Sequence, residues 1–208
     1  MKNKAIKLFI VFFSIMTVIL IVQSCAVSGM GSAPLTFRPQ TSPNGLIFGS
    51  LTFPKEKPKF NGYFLKIAYK SDDPKTVKKN STEIAFSPEQ IIKLKHKGVV
   101  DNGLTYLFAI ERPEGAYEIS SIRLFTNSGI AVLQKNENLS GFSIPFNVIK
   151  GEITYVGNIN FNEYGSKNQW AVTYKNAFEK DLSAIKKAQQ YIYWDAAKND
   201  STRSILYR

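Results

Sequence analysis

Short apolar runs separated by turn residues make up most of the chain after residue 44. In residues 63–69 the apolar side chains recur at every second position, which is the period of a strand with one buried face. Turn residues such as Pro113, Gly115 and Gly151 lie between successive runs. This pattern predicts eight strands, at residues 45–53, 63–69, 82–86, 104–111, 116–125, 142–148, 152–161 and 169–174.

The close spacing of these strands favours a mainly β fold, an antiparallel β-sandwich over residues 45–175. Parallel neighbours need crossover connections of a dozen or more residues, usually helical. The chain offers no helical pattern between most of the predicted strands, so antiparallel pairing is expected throughout.

One amphipathic helix is predicted near the carboxyl end, over residues 176–197, packed on the sandwich. Asn176 and Glu179 have the spacing of a capping box, although asparagine replaces the usual serine or threonine. The apolar stripe of this helix comprises Phe178, Leu182, Ile185 and Ile192. The stripe fits core packing against the sheet, with docking of a partner as the alternative. The polar residues 198–208 are predicted to form a frayed tail.

Two polar segments lie between predicted strands. Residues 71–74 have the composition of a turn, and the lysine-rich residues 75–80 are predicted to continue that loop. Residues 87–90 have the order of a helix start, with a capping serine, a proline and a glutamine. The apolar stretch that follows is short, so a helix and a strand both fit it.

Two short passages carry a resemblance to a known fold family. Residues 113–119, Pro-Glu-Gly-Ala-Tyr-Glu-Ile, are similar to the turn of transthyretin-like and carboxypeptidase-regulatory-like β-sandwiches. Residues 151–157 resemble a glycine- and tyrosine-containing strand of small bacterial lipoproteins of this build. The resemblance implies a transthyretin-like sandwich with a helix after the final strands, and it implies no catalytic residues.

The amino-terminal residues have the order of an export signal. Residues 1–7 carry three lysines and no acid, and residues 8–22 are apolar apart from Ser14 and Thr17. This apolar run is shorter than the roughly 20 residues that a membrane-spanning helix needs. The segment therefore predicts a signal peptide.

The residues that end this segment, Val22-Gln23-Ser24-Cys25, resemble the lipobox of bacterial lipoproteins. In that motif the signal peptidase recognises the positions of Val22 and Ser24, and the cysteine thiol carries the lipid. Cys25 is the only cysteine in the chain. We predict a signal peptide over residues 1–24, acyl chains such as palmitate on Cys25, and a flexible tether over residues 25–44. The alternatives are an uncleaved amino-terminal anchor and an ordinary secretory signal with an incidental cysteine.

The expected location is the cell envelope, on the periplasmic side of the outer membrane. In enterobacterial lipoproteins an aspartate after the lipidated cysteine retains the protein at the inner membrane, and Ala26 stands there instead. Removing residues 1–24 lowers the formal net charge from +11 to +8. A solvated lysine-rich surface explains this charge, and attraction to anionic lipid or glycan is the alternative. An exported protein is not expected to bind nucleic acid.

Candidate catalytic residues are few. His96 is the only histidine and lies among lysines, which predicts a solvated surface position. With no second histidine and no cysteine besides Cys25, neither a metal site nor a catalytic triad is expected. Asp72 and Asp73 are interpreted as turn residues. Three carboxylates cluster around one turn: Glu111, Glu114 and Glu118. Paired carboxylates can cleave glycosides at set separations, which the sequence does not give. The sequence therefore predicts no enzyme activity and no cofactor.

The aromatic residues near the carboxyl end are the candidates for a binding surface: Trp170, Tyr191, Tyr193 and Trp194. Exposed aromatic side chains can stack on sugars or dock a protein. Sealing the helix against the sheet is the alternative role. The predicted function is a non-catalytic envelope lipoprotein that binds or scaffolds another envelope component. A carbohydrate-recognition module and an accessory lipoprotein of a secretion machine are the alternatives.

Overall fold

The computed structural model describes residues 35–90, 94–127, 134–201 and 205–207. Eleven strands lie within these ranges, and they form two sheets. The predictions for Val22, Ser24 and Cys25 fall outside the described residues. The strands are β1 Gly45–Thr52, β2 Gly62–Tyr69, β3 Thr82–Phe86, β4 Thr105–Arg112, β5 Gly115–Asn127, β6 Gln134–Leu139, β7 Phe142–Val148, β8 Ile153–Asn162, β9 Ala171–Lys175, β10 Ala197–Asn199 and β11 Leu206–Tyr207.

The first sheet has the order β10-β8-β1-β4, with β9 also paired to β8, and the second has the order β11-β7-β5-β2-β3, with β6 also paired to β5. The predicted β-sandwich is confirmed. The prediction of purely antiparallel pairing is wrong, because β8 is parallel to both β1 and β10. Between β1 and β8 the chain forms strands of both sheets. These two strands are therefore parallel neighbours although no helix connects one directly to the other.

The main hydrophobic core lies between the sheets, and a second core covers the outer face of the first sheet. Strand β1 contributes to both, because successive side chains point to opposite faces. Ile47 and Leu51 join the core between the sheets, whereas Leu46 and Phe48 join the outer core. The first sheet is therefore buried on both faces.

Each of the eight predicted strand ranges overlaps a strand of the structure, but β6, β10 and β11 are not predicted. Strands β10 and β11 both lie beyond residue 196 and pair with β8 and β7. The prediction of a frayed tail over residues 198–208 is therefore wrong for the described part of that segment. Both strands are too short to show an alternating pattern in the sequence. They form because β8 and β7 supply their backbone hydrogen bonds.

Helix α1, Pro74–Asn80, replaces the loop predicted for the lysine-rich residues. It begins there because the Asp73 carboxylate accepts hydrogen bonds from the backbone N–H groups of Lys75 and Thr76, and Pro74 occupies the first helical position. Residues 87–90 form no helix; Glu89 instead forms an antiparallel bridge with Lys95.

Helix α2, Phe178–Ala188, covers half of the range 176–197 predicted as a carboxy-terminal helix. Gln189 leaves the helical region with φ −130° and ψ 72°, and a 3₁₀ turn and β10 follow. Ala177 rather than Asn176 is the cap residue, although the Asn176 side chain still accepts a hydrogen bond from the Phe178 N–H. Within the described ranges no helix combines the length and the apolar content needed to cross a membrane.

The second half of the predicted tether is part of the folded domain. Phe37 is 2% exposed and lies in the outer core. The Leu35 N–H donates to the Gln189 side-chain oxygen at 3.1 Å, and the Gln40 N–H donates to the Gly151 carbonyl at 2.9 Å. The tether prediction is therefore wrong for residues 35–44, whose apolar side chains Leu35 and Phe37 find a place against the outer core.

Candidate binding surface and two buried polar clusters

The segment that follows α2 presents two tyrosines to solvent. Its side chains alternate, with Ile192 5% and Trp194 3% exposed, whereas Tyr191 is 76% and Tyr193 66% exposed. The buried members hold the segment against the outer core. The buried side chains of Ile192 and Trp194 thus fix the backbone that carries the two exposed tyrosine rings.

Trp194 anchors this segment. Its ring meets the ring of Phe48 edge-on, with centroids 5.2 Å apart, and its indole N–H donates to the Gln189 carbonyl at 2.8 Å. Phe48 in turn lies 5.0 Å from the ring of Tyr155 on the neighbouring strand β8. A buried indole with its polar hydrogen satisfied is a stable packing arrangement.

Two shallow grooves border α2. A groove of about 620 Å³ lies between residues 99–102 and α2, and Val99 at its edge is 59% exposed. A smaller groove of about 210 Å³ lies beside Tyr193. Lysine side chains border both grooves: Lys187 is exposed, and Lys186 pairs with Asp195 at 2.6 Å. We call Val99, Lys186, Lys187, Tyr191 and Tyr193 the α2 surface.

The four aromatic residues predicted as a binding surface do not share one site. Tyr191 and Tyr193 lie on the α2 surface, and Trp194 lies buried beneath it. Trp170 is partly buried against the other core, between the sheets, where its N–H donates to the Gly165 carbonyl at 3.1 Å. Its ring also meets Phe60 edge-on. The structure therefore gives the two tryptophans packing roles and leaves the two tyrosines accessible.

His96 is buried, so its prediction as a surface residue is wrong. Its side chain and that of Glu163 are both 0% exposed, with the ring nitrogen Nε2 3.0 Å from the carboxylate. The ring stacks on Phe53 with centroids 3.9 Å apart. The neighbouring lysines, Lys95 and Lys97, are exposed. In an extended segment, successive side chains point to opposite sides. Lysines on both sides of His96 are therefore a sequence signal that the histidine points away from solvent.

Hydrogen bonds around Glu163 satisfy the whole cluster. The carboxylate accepts from His96 Nε2, from the Lys59 backbone N–H at 3.0 Å and from the Tyr63 hydroxyl. With the histidine proton on Nε2, the Tyr106 hydroxyl donates to Nδ1 at 3.3 Å. Burial and the nearby Glu163 charge raise the pKa of Tyr63, and burial raises the pKa of Tyr106 to about 12. Both phenols therefore stay protonated and serve as donors.

A second buried carboxylate, Asp181, lies under α2. Its Oδ2 accepts from the Ser50 hydroxyl at 2.5 Å and from the Tyr155 hydroxyl at 2.7 Å. Its Oδ1 is buried without a hydrogen-bond partner among the described residues. Burial raises the pKa of Asp181, and the bonds from Ser50 and Tyr155 oppose that rise in part. Asp181 lies three residues after Phe178 and four before Ile185, and this helical spacing was the signal that it shares their buried face.

We expect Asp181→Asn to flatten the pH dependence of stability. In the wild type the folded state holds the Asp181 proton more tightly than the unfolded state, because the folded pKa is raised. The free energy of unfolding therefore falls as pH rises from about 4 through the folded pKa, by about 1.4 kcal/mol for each unit between the two pKa values. The variant lacks this fall, so its free energy of unfolding increases relative to that of the wild type as pH rises. Urea unfolding between pH 4 and 8 measures the difference.

The matched control for that experiment is Asp195→Asn. Asp195 is 65% exposed and pairs with Lys186 on the surface, so its substitution is expected to leave the slope with pH unchanged. If the free energy of unfolding varies with pH in the same way for Asp181→Asn and the wild type, Asp181 does not bind its proton more tightly in the folded state.

Two of the other carboxylates considered from the sequence, Asp73 and Glu118, have structural partners. Asp73 caps α1, and the hydrogen bonds from Thr76 and Lys75 lower its pKa. Glu118 accepts from the Ser143 hydroxyl at 2.6 Å and pairs with Lys70. Among the described residues no group of three His, Cys, Asp or Glu side chains is arranged to hold a metal ion.

The turn that carries the family resemblance is closed by its tyrosine. The buried Tyr117 hydroxyl donates to the Pro113 carbonyl at 2.9 Å. Gly115 has φ +148°, and a Cβ there would lie 2.4 Å from the ring of Tyr69. The Pro-x-Gly-x-Tyr pattern is thus explained by local packing.

Comparison with known proteins establishes no family. No family model matches the chain, and no curated protein does. A leucine-rich repeat protein from Bacteroides thetaiotaomicron is 13% identical, with a TM-score of 0.34 over 59% of this chain and 14% of that one. A proposed cell adhesion protein from Bacteroides fragilis is 9% identical, with a TM-score of 0.28 over 64% of this chain and 46% of that one.

The chain therefore spans about a seventh of the first of these proteins and under half of the second. Similarities at these TM-scores do not establish a shared fold or function. Neither protein is transthyretin-like, and that resemblance stays a prediction.

Proposed function

We propose that this chain is a lipoprotein of the bacterial cell envelope that is anchored through acyl chains on Cys25. Its β-sandwich serves as a non-catalytic module that binds or scaffolds another envelope component. The proposed location is the periplasmic face of the outer membrane, in keeping with Ala26 in place of aspartate after the cysteine.

The observation that carries this proposal is the order of the first 25 residues. Three lysines precede an apolar run, and Val22, Ser24 and Cys25 follow in lipobox order. The cysteine is the only one in the chain, so it has no partner for a disulfide within the chain. A single acyl chain binds a membrane marginally, whereas two or more give stable anchoring.

The α2 surface supports the binding part of the proposal. Tyr191 and Tyr193 expose large rings that combine an apolar body with a polar tip, which is the side-chain type enriched where proteins meet partners. Trp194 beneath them keeps the segment in place. Such a surface binds by contact area and needs no reacting group.

Incorporation of a fatty acid tests the anchor. Cells that express the full chain are grown with an alkyne-tagged palmitate analogue, and the purified protein is probed for the tag. We expect the wild type to carry the tag and Cys25→Ala to lack it, because the thiol is the attachment point.

A double variant, Cys25→Ala with Ser28→Cys, is the matched control. It keeps one cysteine close to the original position but places it after Val27, which is too large for the small-residue position of the motif. This variant is expected to lack the tag. A wild type without the tag, or an equally tagged Cys25→Ala variant, would refute the anchor at Cys25.

A further inference from the structure

We infer that the α2 surface lies against the lipid headgroups, so that the domain has one fixed face toward its membrane. This inference rests on the proposed acylation of Cys25. It names the lipid surface as the second contact of the domain, besides the acyl chains themselves.

The length of chain between the anchor and the domain is the first support. Leu35 is fixed to the domain by its hydrogen bond to Gln189, only two residues before Tyr191. Leu35 lies ten positions after Cys25, and even a fully extended chain of that length spans at most about 35 Å. A compact domain of this size is about 40 Å across. The chain thus leaves the domain beside the α2 surface and is too short to pass around to the far sheet.

The side chains of the α2 surface suit the headgroup region. Tyrosine is enriched where membrane meets water, because its ring enters the apolar boundary while its hydroxyl stays hydrated. Tyr191 and Tyr193 are the two most exposed apolar or aromatic side chains on this face, and Val99 lies across the groove beside α2. The two tyrosines follow directly after the end of the helix at Ala188.

Lysine side chains of α2 can contact lipid phosphates. The solvent side of α2 carries Lys180, Lys186 and Lys187, and the acids beside them are Glu179, Asp101 and Asp195. Lysines near an anionic lipid surface are attracted to its phosphates. Lys180 and Lys186 form exposed ion pairs with Asp101 and Asp195, which are weak enough for lipid phosphates to share these lysines.

The test uses the sole cysteine of the chain. When Cys25 is acylated, a cysteine introduced elsewhere is the only reactive thiol. Acylated Tyr193→Cys protein is labelled with a fluorophore and reconstituted into vesicles of phosphatidylcholine and phosphatidylglycerol. Some lipids carry a nitroxide on the headgroup, which quenches a fluorophore that lies at the lipid surface.

Tyr207→Cys is the matched control, because Tyr207 is also a tyrosine and also 66% exposed. Its hydroxyl donates to the Val172 carbonyl, and Val172 pairs with Phe161. Phe161 lies eight residues along β8 from Ile153, where the chain after Trp194 joins the sheet. At about 3.3 Å per residue, Phe161 lies about 26 Å along β8 from Ile153, so the control reports from the opposite end of that strand.

We expect several-fold stronger quenching of the label at position 193 than at position 207. Equal and weak quenching at both positions, in protein whose acylation is established, would overturn the inference and leave the tyrosines free for a glycan or a protein. Failure of the proposed anchor gives a different result, since an unacylated Cys25 takes up a second label that the intact mass reports.

Discussion

Glu163→Leu is expected to lower the free energy of unfolding by about 3–5 kcal/mol, because each buried donor that loses its acceptor costs about 1–3 kcal/mol. The substitution leaves the His96 ring, the Tyr63 hydroxyl and the Lys59 backbone N–H without their common acceptor. The His96 ring and the Tyr63 hydroxyl lie in a part of the core that water does not reach, because Tyr63 and the side chains of His96 and Glu163 are all 0% exposed. Equilibrium unfolding in urea measures the loss.

Glu83→Leu is the matched control for this prediction. Glu83 pairs with Arg123 at 2.6 Å, but both side chains are more than a third exposed, so the expected loss is under about 1 kcal/mol. The double variant His96→Leu/Glu163→Leu is expected to lose less than the sum of the two single variants, because the His96 ring is then not left buried without its acceptor. A loss for Glu163→Leu no larger than for Glu83→Leu would contradict the cluster.

Trp194→Ala is expected to cost about 3–5 kcal/mol of unfolding free energy, in the range for truncating a large buried aromatic side chain. Trp194 is 3% exposed, packs edge-on against Phe48 and donates its indole hydrogen to the Gln189 carbonyl. The variant loses that packing and leaves a cavity in the outer core. Urea or thermal unfolding of the purified variant gives the value.

Tyr193→Ala, one residue earlier, separates packing from surface effects. Tyr193 is 66% exposed, so its truncation is expected to change stability by no more than about 0.5 kcal/mol. Similar losses for Trp194→Ala and Tyr193→Ala would show that the segment does not alternate between core and solvent.

The strands were predictable because their signal is local. Alternation in β2 and the turn residues around β5 depend on neighbours in the sequence, and both were located within a few residues. The parallel pairing of β1 with β8 was not predictable, because it joins segments about 100 residues apart. The short strand β10 likewise has no pattern of its own and depends on β8 for its hydrogen bonds.

The buried polar residues escaped prediction for a related reason. His96 was judged by its lysine neighbours, but its partner Glu163 lies 67 residues further along the chain. The sequence analysis does not single out Asp181, although its spacing from Ile185 places it on the buried side of α2. Both cases show a polar residue whose burial depends on partners supplied by distant strands.

The tyrosine pair illustrates what composition alone leaves open. Four aromatic residues near the carboxyl end were grouped as one candidate surface, but helix α2 ends at Ala188 and an alternating segment follows. That ending decides which rings face inward: Trp194 is buried, and Tyr191 and Tyr193 are exposed. The early end of the helix is therefore what creates the α2 surface.

The measurement that tests the central claim most directly is the intact mass of the full chain extracted from the membranes of its expression host, beside Cys25→Ala. The account predicts a wild-type mass that begins at Cys25 and includes two or three acyl chains, with no acylated species in the variant. A wild-type mass that retains residues 1–24 and carries no acyl chain would contradict it.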